Sequence, residues 1–279
     1  MKEYVARILG IALMAFAVFG HKYFGAYVFV SFLAGLIIFF IDKKTASRDL
    51  SMFLKSFKQI NKRFVFIAFY DMLCLSVFFV AVPLFSRWFT SNLGAVAGLQ
   101  DVFSLFFMLL VYFAGVTLIL LLAYTIFKGL IWLALLNKKP SAKYFKKFFL
   151  LNLCWWIILF IPFIIVLFGM KQEYLIFALI VFAVGYVHMT SVMHFAFTRE
   201  PRIGSSLKKA FVIGWGNIKD FLVPYSLIIA LYFVLLQVFW IVPKEPNTIL
   251  FASLLFTVFF LAWYRIYLAQ ILRNIYKYK

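Results

Sequence analysis

The sequence predicts an all-α fold, a polytopic transmembrane helical bundle of about eight spans, and three observations carry that expectation. Hydrophobic residues make up 66% of the chain and charged residues only 13%, where a water-soluble domain is nearer half apolar and a quarter charged. Apolar stretches recur at roughly the 20-residue length that crosses ~30 Å of hydrocarbon. Stretches such as "VFSLFFMLLVYFAGVTLILLLAYTIF" (102–127) run without the alternation of a barrel strand. Backbone in lipid must close its hydrogen bonds within a helix or a closed barrel, so the helix is the form left.

The apolar runs cover approximately 5–20, 23–41, 64–85, 102–127, 148–169, 174–197, 221–242 and 248–268. The first two are parted only by "GHKYFG", and the first is short for a full crossing. The fourth continues apolar to Leu136, longer than one crossing needs. It is expected to break or to leave the membrane near Lys128–Gly129, where a charge and a flexible residue coincide. If a run fails to cross, the count falls to six or seven. The 279 residues then form one integral membrane domain: a hairpin at 1–41, then an elbow plus hairpin at each of 42–136, 137–197 and 198–279. No small-residue cleavage site follows the first apolar stretch, so no cleavable signal is expected.

Orientation follows from the lysines and arginines, which concentrate in cytoplasmic connections. Segments 1–7, 42–63, 137–147, 198–220 and 265–279 hold 23 of the 28 basic residues, whereas the opposite set holds Lys22, Arg87, Lys171 and Lys244. Both termini are therefore expected in the cytoplasm, and the membrane expected is the plasma (inner) membrane.

Three of the basic connections share a design. They read "DKKTASRDLSMFLKSFKQINKRF" (42–64), "NKKPSAKYFKKFF" (137–149) and "REPRIGSSLKKAFVIGWGNIKDF" (199–221). Each starts with cations, reaches a serine suited to an N-cap (Ser47, Ser141, Ser205), and runs on as an amphipathic helix. Leu50, Phe53, Leu54, Phe57 and Phe64 mark the apolar stripe of the first. Leu207, Ala210, Phe211, Gly214, Trp215, Ile218, Phe221 and Leu222 mark that of the third. Such helices lie in the interface, with cations toward anionic headgroups. Lys55, Lys58, Lys62, Arg63, Lys143, Lys146, Lys147, Lys208 and Lys209 are the expected headgroup contacts. This placement accounts for the net charge of +19 without nucleic acid, which is not expected as a partner.

The elbow "KKAF…GWGNIKDFL" resembles those in the membrane domain of bacterial glycerophosphoryl diester phosphodiesterases and in related prokaryotic multi-pass families. The resemblance covers about residues 140–270. It implies helices led by membrane-surface elbows, and it brings no catalytic residue, so no hydrolytic function is carried over.

Polar groups inside the runs are the candidate sites. Asp71 in "FIAFYDMLCLSVFF" is costly within hydrocarbon, and points to function or to a lysine or histidine partner. In "VGYVHMTSVMHFAF", His188, Ser191 and His194 recur every three residues, with Thr190 at the edge. Such a ladder suits a proton or ion path, or plain hydrogen bonding between helices. Thr117, Tyr124, Thr125 and Lys128 share one face of the fourth run and form a polar seam, facing Asp71 or the histidines or only turned from lipid. Cys74 and Cys154 read as small apolar residues.

No metal or cofactor is expected, because the third histidine, His21, lies on the opposite side. "GWGN" lacks a third glycine, and nucleophile-elbow and His-Glu-x-x-His patterns are missing. The chain is accordingly expected to be non-enzymatic, a scaffold or an accessory, permease-like subunit that binds lipid, a membrane-protein partner or its own copies. The alternatives are a proton- or ion-coupled transporter using Asp71 and the histidines, and a lipid-modifying enzyme of the inner leaflet.

Overall fold

A computed structural model describes residues 51–58, 60–97, 102–218 and 246–277, with scattered positions between 220 and 232. The expected runs 5–20 and 23–41, the start of the first elbow with Ser47 and Leu50, and much of run 221–242 lie outside the described residues. Among the described residues all regular structure is helical and there is no strand. The helices are α1 (Lys62–Ala97), α2 (Val102–Leu136), α3 (Ala142–Gly169), α4 (Gln172–Arg199), α5 (Ile203–Gly216) and α6 (Pro246–Lys277). A further stretch, 51–57, is also helical.

Among the described residues, five helices are long and apolar enough to cross a membrane: Lys62–Ser91, Phe106–Leu136, Ala142–Gly169, Val181–Arg199 and Ala252–Tyr276. They correspond to the expected runs from 64, 102, 148, 174 and 248. The other three expected runs lie wholly or partly outside the described residues.

Two expectations are corrected. α2 does not break at Lys128–Gly129; it runs unbroken to Leu136. The second elbow is not a separate helix, because residues 142–147 are the first turns of the 28-residue α3. The reason is visible in its pattern. Tyr144, Phe148, Leu151, Asn152 and Trp155 are all buried, and their spacing of 4, 7, 8 and 11 from Tyr144 is one continuous helical stripe. Nothing between Lys143 and Phe149 breaks the backbone, so the elbow runs straight into the span.

The chain divides into two compact units, Phe69–Val212 and Met1–Ala68 with Ile213–Lys279. In the unit 69–212, α1 and α2 form an antiparallel hairpin. Asp71 meets Lys128 at one end, and the Ser86 and Tyr112 hydroxyls stand 3.2 Å apart further along. α3 returns against both α2 and α4. Asn152 reaches Thr125 and His194, and Trp155 reaches Thr190.

The turn from α2 to α3 is closed from both sides. Asn137 takes a left-handed φ of 57°. The Lys138 N–H then bonds Leu133 O at 2.9 Å and the Asn137 N–H bonds Ala134 O at 3.4 Å, which is the paired closure of a Schellman end. Ser141 Oγ then accepts from the Tyr144 N–H at 3.2 Å, the N-cap that starts α3. Lys138 Nζ donates to Arg199 O at 2.7 Å and Lys147 Nζ to Pro201 O at 3.5 Å. The basic α2–α3 and α4–α5 connections therefore stand at the same end of this unit. α3 and α4 are joined at the other end by Met170 and Lys171 alone.

In the second unit, stretch 51–57 packs on α6. Phe57 stacks on Trp263 at 4.8 Å between centroids, and Phe53 meets Trp263 and Tyr267 edge-on at 5.4 and 5.6 Å. Trp263 Nε1 donates to Ser56 Oγ at 3.0 Å. Phe53 and Phe57, expected to face lipid, thus touch protein, while Leu54 remains exposed.

Candidate functional site

Nine residues past Lys62, and so ~14 Å along α1 at 1.5 Å per residue, Asp71 is only 3% exposed. A lone carboxylate at that depth is expensive. Its Oδ1 accepts from Lys128 Nζ at 2.7 Å, and Lys128 is eight residues before the end of α2. Hairpin register brings the two charges to one level. The ammonium also lies 5.8 Å from the ring centroid of Tyr124, one turn earlier, where the ring's negative face attracts it.

Tyr124 links this pair to α4, for its ring centroid is 5.9 Å from that of His194. His194 is buried and held between Phe148 at 4.7 Å and Trp132 at 6.4 Å. Its Nε2 is 2.7 Å from Asn152 Oδ1. A carbonyl oxygen only accepts, so this nitrogen carries the proton and donates. Asn152 Nδ2 donates to Thr125 Oγ1 at 3.3 Å. Four helices thus place one polar group each, or more, in a continuous cluster.

Two further rungs tie α3 to α4. Trp155 Nε1 donates to Thr190 Oγ1 at 2.7 Å. Thr198 Oγ1 donates to His194 O at 2.8 Å, and so accepts from the Tyr144 hydroxyl 2.9 Å away. Each buried polar atom named here has a partner on the next helix or the next turn.

Beside the cluster lies a cavity of ≈ 460 Å³ among α1, α2, α3 and α4. Tyr124, Asn152 and Tyr186 form its polar end. From there it runs about 10 Å along α2 to Thr117, past Phe163 and Phe182, whose rings meet at 5.8 Å between centroids. Trp156 and Phe160 of α3, 44% and 46% exposed, form its rim with Ala183 and Tyr186 of α4. The cavity therefore opens sideways between two candidate spans, rather than at their ends.

No family model, curated protein or solved structure matches this chain. What the site can do rests on its own geometry.

The structure brings together Asp71, Lys128, Tyr124, Thr125 and His194 from the expected sites, and adds Thr190 through Trp155. Thr117 lines the cavity rather than the cluster. His188 is buried six residues before His194. Ser191 turns its hydroxyl back onto Val187 O of its own helix at 2.6 Å and so does not join a ladder. Among the described residues no group of three or more His, Cys, Asp or Glu could hold a metal ion. Cys74 and Cys154 are free thiols.

Asn152, Trp155, Tyr144 and Tyr186 were missed by sequence reasoning. Asn152 had a signal, a lone amide in the apolar run "FFLLNLCWW", where an unpaired amide is costly and a partner helix must satisfy it. The aromatic residues had none, since the chain carries 7 tryptophans and 15 tyrosines, and every run but the first holds at least one of them.

Of the expected headgroup contacts, Lys55, Lys58, Lys62, Arg63, Lys143, Lys146 and Lys208 are exposed. Lys147 reaches Pro201 O, and Lys209 pairs with Glu200 at 3.4 Å, so these two are held by protein. On α5, Ser206, Ala210, Ile213 and Gly214 are buried, while Phe211, Val212 and Trp215 are exposed, Trp215 by 67%. The apolar stripe expected for this elbow is thus divided: Ala210 and Gly214 pack inward, Trp215 faces out, and Phe211 stays part-exposed while its ring meets Trp155 edge-on at 5.7 Å.

Proposed function

We propose that this chain is a non-catalytic, multi-pass protein of the plasma membrane, with both termini cytoplasmic, and that it serves as a scaffold or permease-like accessory subunit. The observation that carries this reading is the closure of the buried polar groups on one another. Asp71 with Lys128, Asn152 with His194 and Thr125, and Trp155 with Thr190 each join different helices. Groups so engaged fix which helices neighbour one another, a role suited to a rigid membrane body.

The orientation is supported by the basic α2–α3 and α4–α5 connections standing at one end, as positive-inside topology requires. The exposed Phe211, Val212 and Trp215 beside Lys208 on α5 support a resting place at the inner-leaflet boundary, rings in the acyl region and lysine at the headgroups. The lipid-modifying alternative has less support, because the cavity opens near Trp156, ~21 Å along α3 from Ala142, and not at headgroup level.

Contiguity of Asp71, Lys128, Tyr124 and His194 favours a second reading, a proton-coupled carrier. One experiment separates the two. Protein purified in mild detergent is analysed for mass and co-purifying chains, then placed in liposomes holding a pH-sensitive dye. The proposal expects a stoichiometric membrane-protein partner or a homo-oligomer, and no proton movement above that of protein-free liposomes. A monomer whose proton flux is lost in Asp71→Asn replaces it with the carrier.

A further inference from the structure

We propose that the cavity bounded by α1, α2, α3 and α4 is a lateral binding site for a membrane-dissolved lipophile, a single apolar chain that ends in a neutral carbonyl. This rests on the chain's being a membrane protein, but not on its role as an accessory subunit.

Three features of the cavity select that ligand. Its walls are aromatic and aliphatic: Phe78, Leu121, Trp155, Leu159, Phe163 and Phe182 line it, and no formally charged side chain does. A charged headgroup would therefore enter without a partner, at high cost in a dry interior. Asp71 and Lys128 lie beyond Tyr124 and already pair with each other.

The polar atoms gather at one end. Tyr124, Tyr186 and Asn152 offer hydroxyls and an amide there, while the far end offers only Thr117 among apolar walls. A ligand with one hydrogen-bonding terminus and an apolar remainder matches that asymmetry. A carbonyl suits it best, since a phenol O–H must donate to something and an acceptor costs the site no proton.

Finally, the mouth faces hydrocarbon. Trp156 and Phe160 at the rim are about half exposed, and their α3 neighbours Ile157 and Ile161 are more so, 53% and 62%. These belong to a candidate membrane span, so what reaches the mouth arrives through the bilayer. The volume of ≈ 460 Å³ lies within the roughly 300–1,000 Å³ of ligand-binding cavities.

A carbonyl on an apolar chain occurs both in acyl lipids and in isoprenoid quinones, and the test has an arm for each. The full chain is reconstituted in bilayers containing a trace of either a fatty-acid methyl ester with a diazirine on its acyl chain or a diazirine-bearing isoprenoid quinone. After illumination, the labelled peptides are mapped by mass spectrometry. Labelling within 156–160 and 183–186 is expected to exceed, several-fold, that at Phe79 and Val80, which are exposed on α1 and report ordinary lipid contact.

Ala183→Trp, which fills the mouth, should abolish the excess and leave labelling of Phe79 unchanged. If that variant fails to assemble, as judged by gel filtration, Thr117→Phe fills the cavity from its far end instead. Excess with one probe names the source, and excess with both supports the shared chemistry. Equal labelling of cavity and α1 surface with both probes, or an excess untouched by the filling variant that folds, overturns the proposal. A monomer without partner chains would remove the accessory role and leave this result standing.

Discussion

At the residue scale, the two charges of the Asp71–Lys128 pair depend on each other. Removing one partner of a buried pair leaves the other unneutralised and costs about 3–5 kcal/mol, whereas replacing both with apolar groups of similar volume is often near neutral. Asp71→Leu should therefore lower the thermal unfolding midpoint in detergent sharply, and Asp71→Leu with Lys128→Met should recover most of the loss. A double variant as unstable as the single one would show that the pair does more than hold the helices. Asn137 makes a second residue-scale prediction. Its φ of 57° costs an ordinary side chain about 1–2 kcal/mol, so Asn137→Leu should destabilise by that amount and Asn137→Gly should not, read from the same melts. The charges and histidines of this site were legible because ionisable groups stand out against hydrocarbon. Their pairing was not, because Asp71 and Lys128 are 57 residues apart, and no local pattern records which turn of α1 faces which turn of α2.

At the element scale, the informative case is α2. A lysine followed by a glycine reads as a helix end, yet both residues serve an unbroken helix. Lys128 stays because Asp71 neutralises it. Gly129 stays because there is no room for a side chain: a Cβ there would lie 2.8 Å from Phe145 and 3.3 Å from Phe148. Gly129→Leu should thus force α2 and α3 apart and cost about 1–3 kcal/mol, measured by thermal unfolding. α3 teaches the converse lesson. Its N-cap serine was legible from the sequence, and Ser141→Ala should cost about 1 kcal/mol. Its straightness was not legible, because a few cations among aromatic residues look alike on an interfacial helix and on the first turns of a span. Pro83 and Pro162 lie inside α1 and α3, which continue through them.

At the scale of the molecule, composition determines the medium and charge asymmetry suggests the orientation, but neither places a cavity. The cavity arises where side chains of α1, α2, α3 and α4 leave space beside Trp155, Phe163 and Phe182, and such a gap depends on side-chain shapes across four helices at once. The orientation itself can be measured. Single cysteines at the exposed Lys146 and Lys208 should react with a membrane-impermeant maleimide from the cytoplasmic side, and one at Lys171 from the opposite side. The background is low once the half-buried Cys154 is replaced by serine, since native Cys74 is buried. Lys146 and Lys171 reacting from the same face would mean that α3 does not cross.

The α1–α2 ion pair also bears on how the protein is made. The carboxylate leaves the ribosome well before its lysine does, and until α2 follows, α1 alone carries an uncompensated charge into lipid. The insertion machinery is then expected to retain α1 and release it with α2 as a hairpin, so in a nascent chain truncated before residue 128 the α1 segment should leave the bilayer.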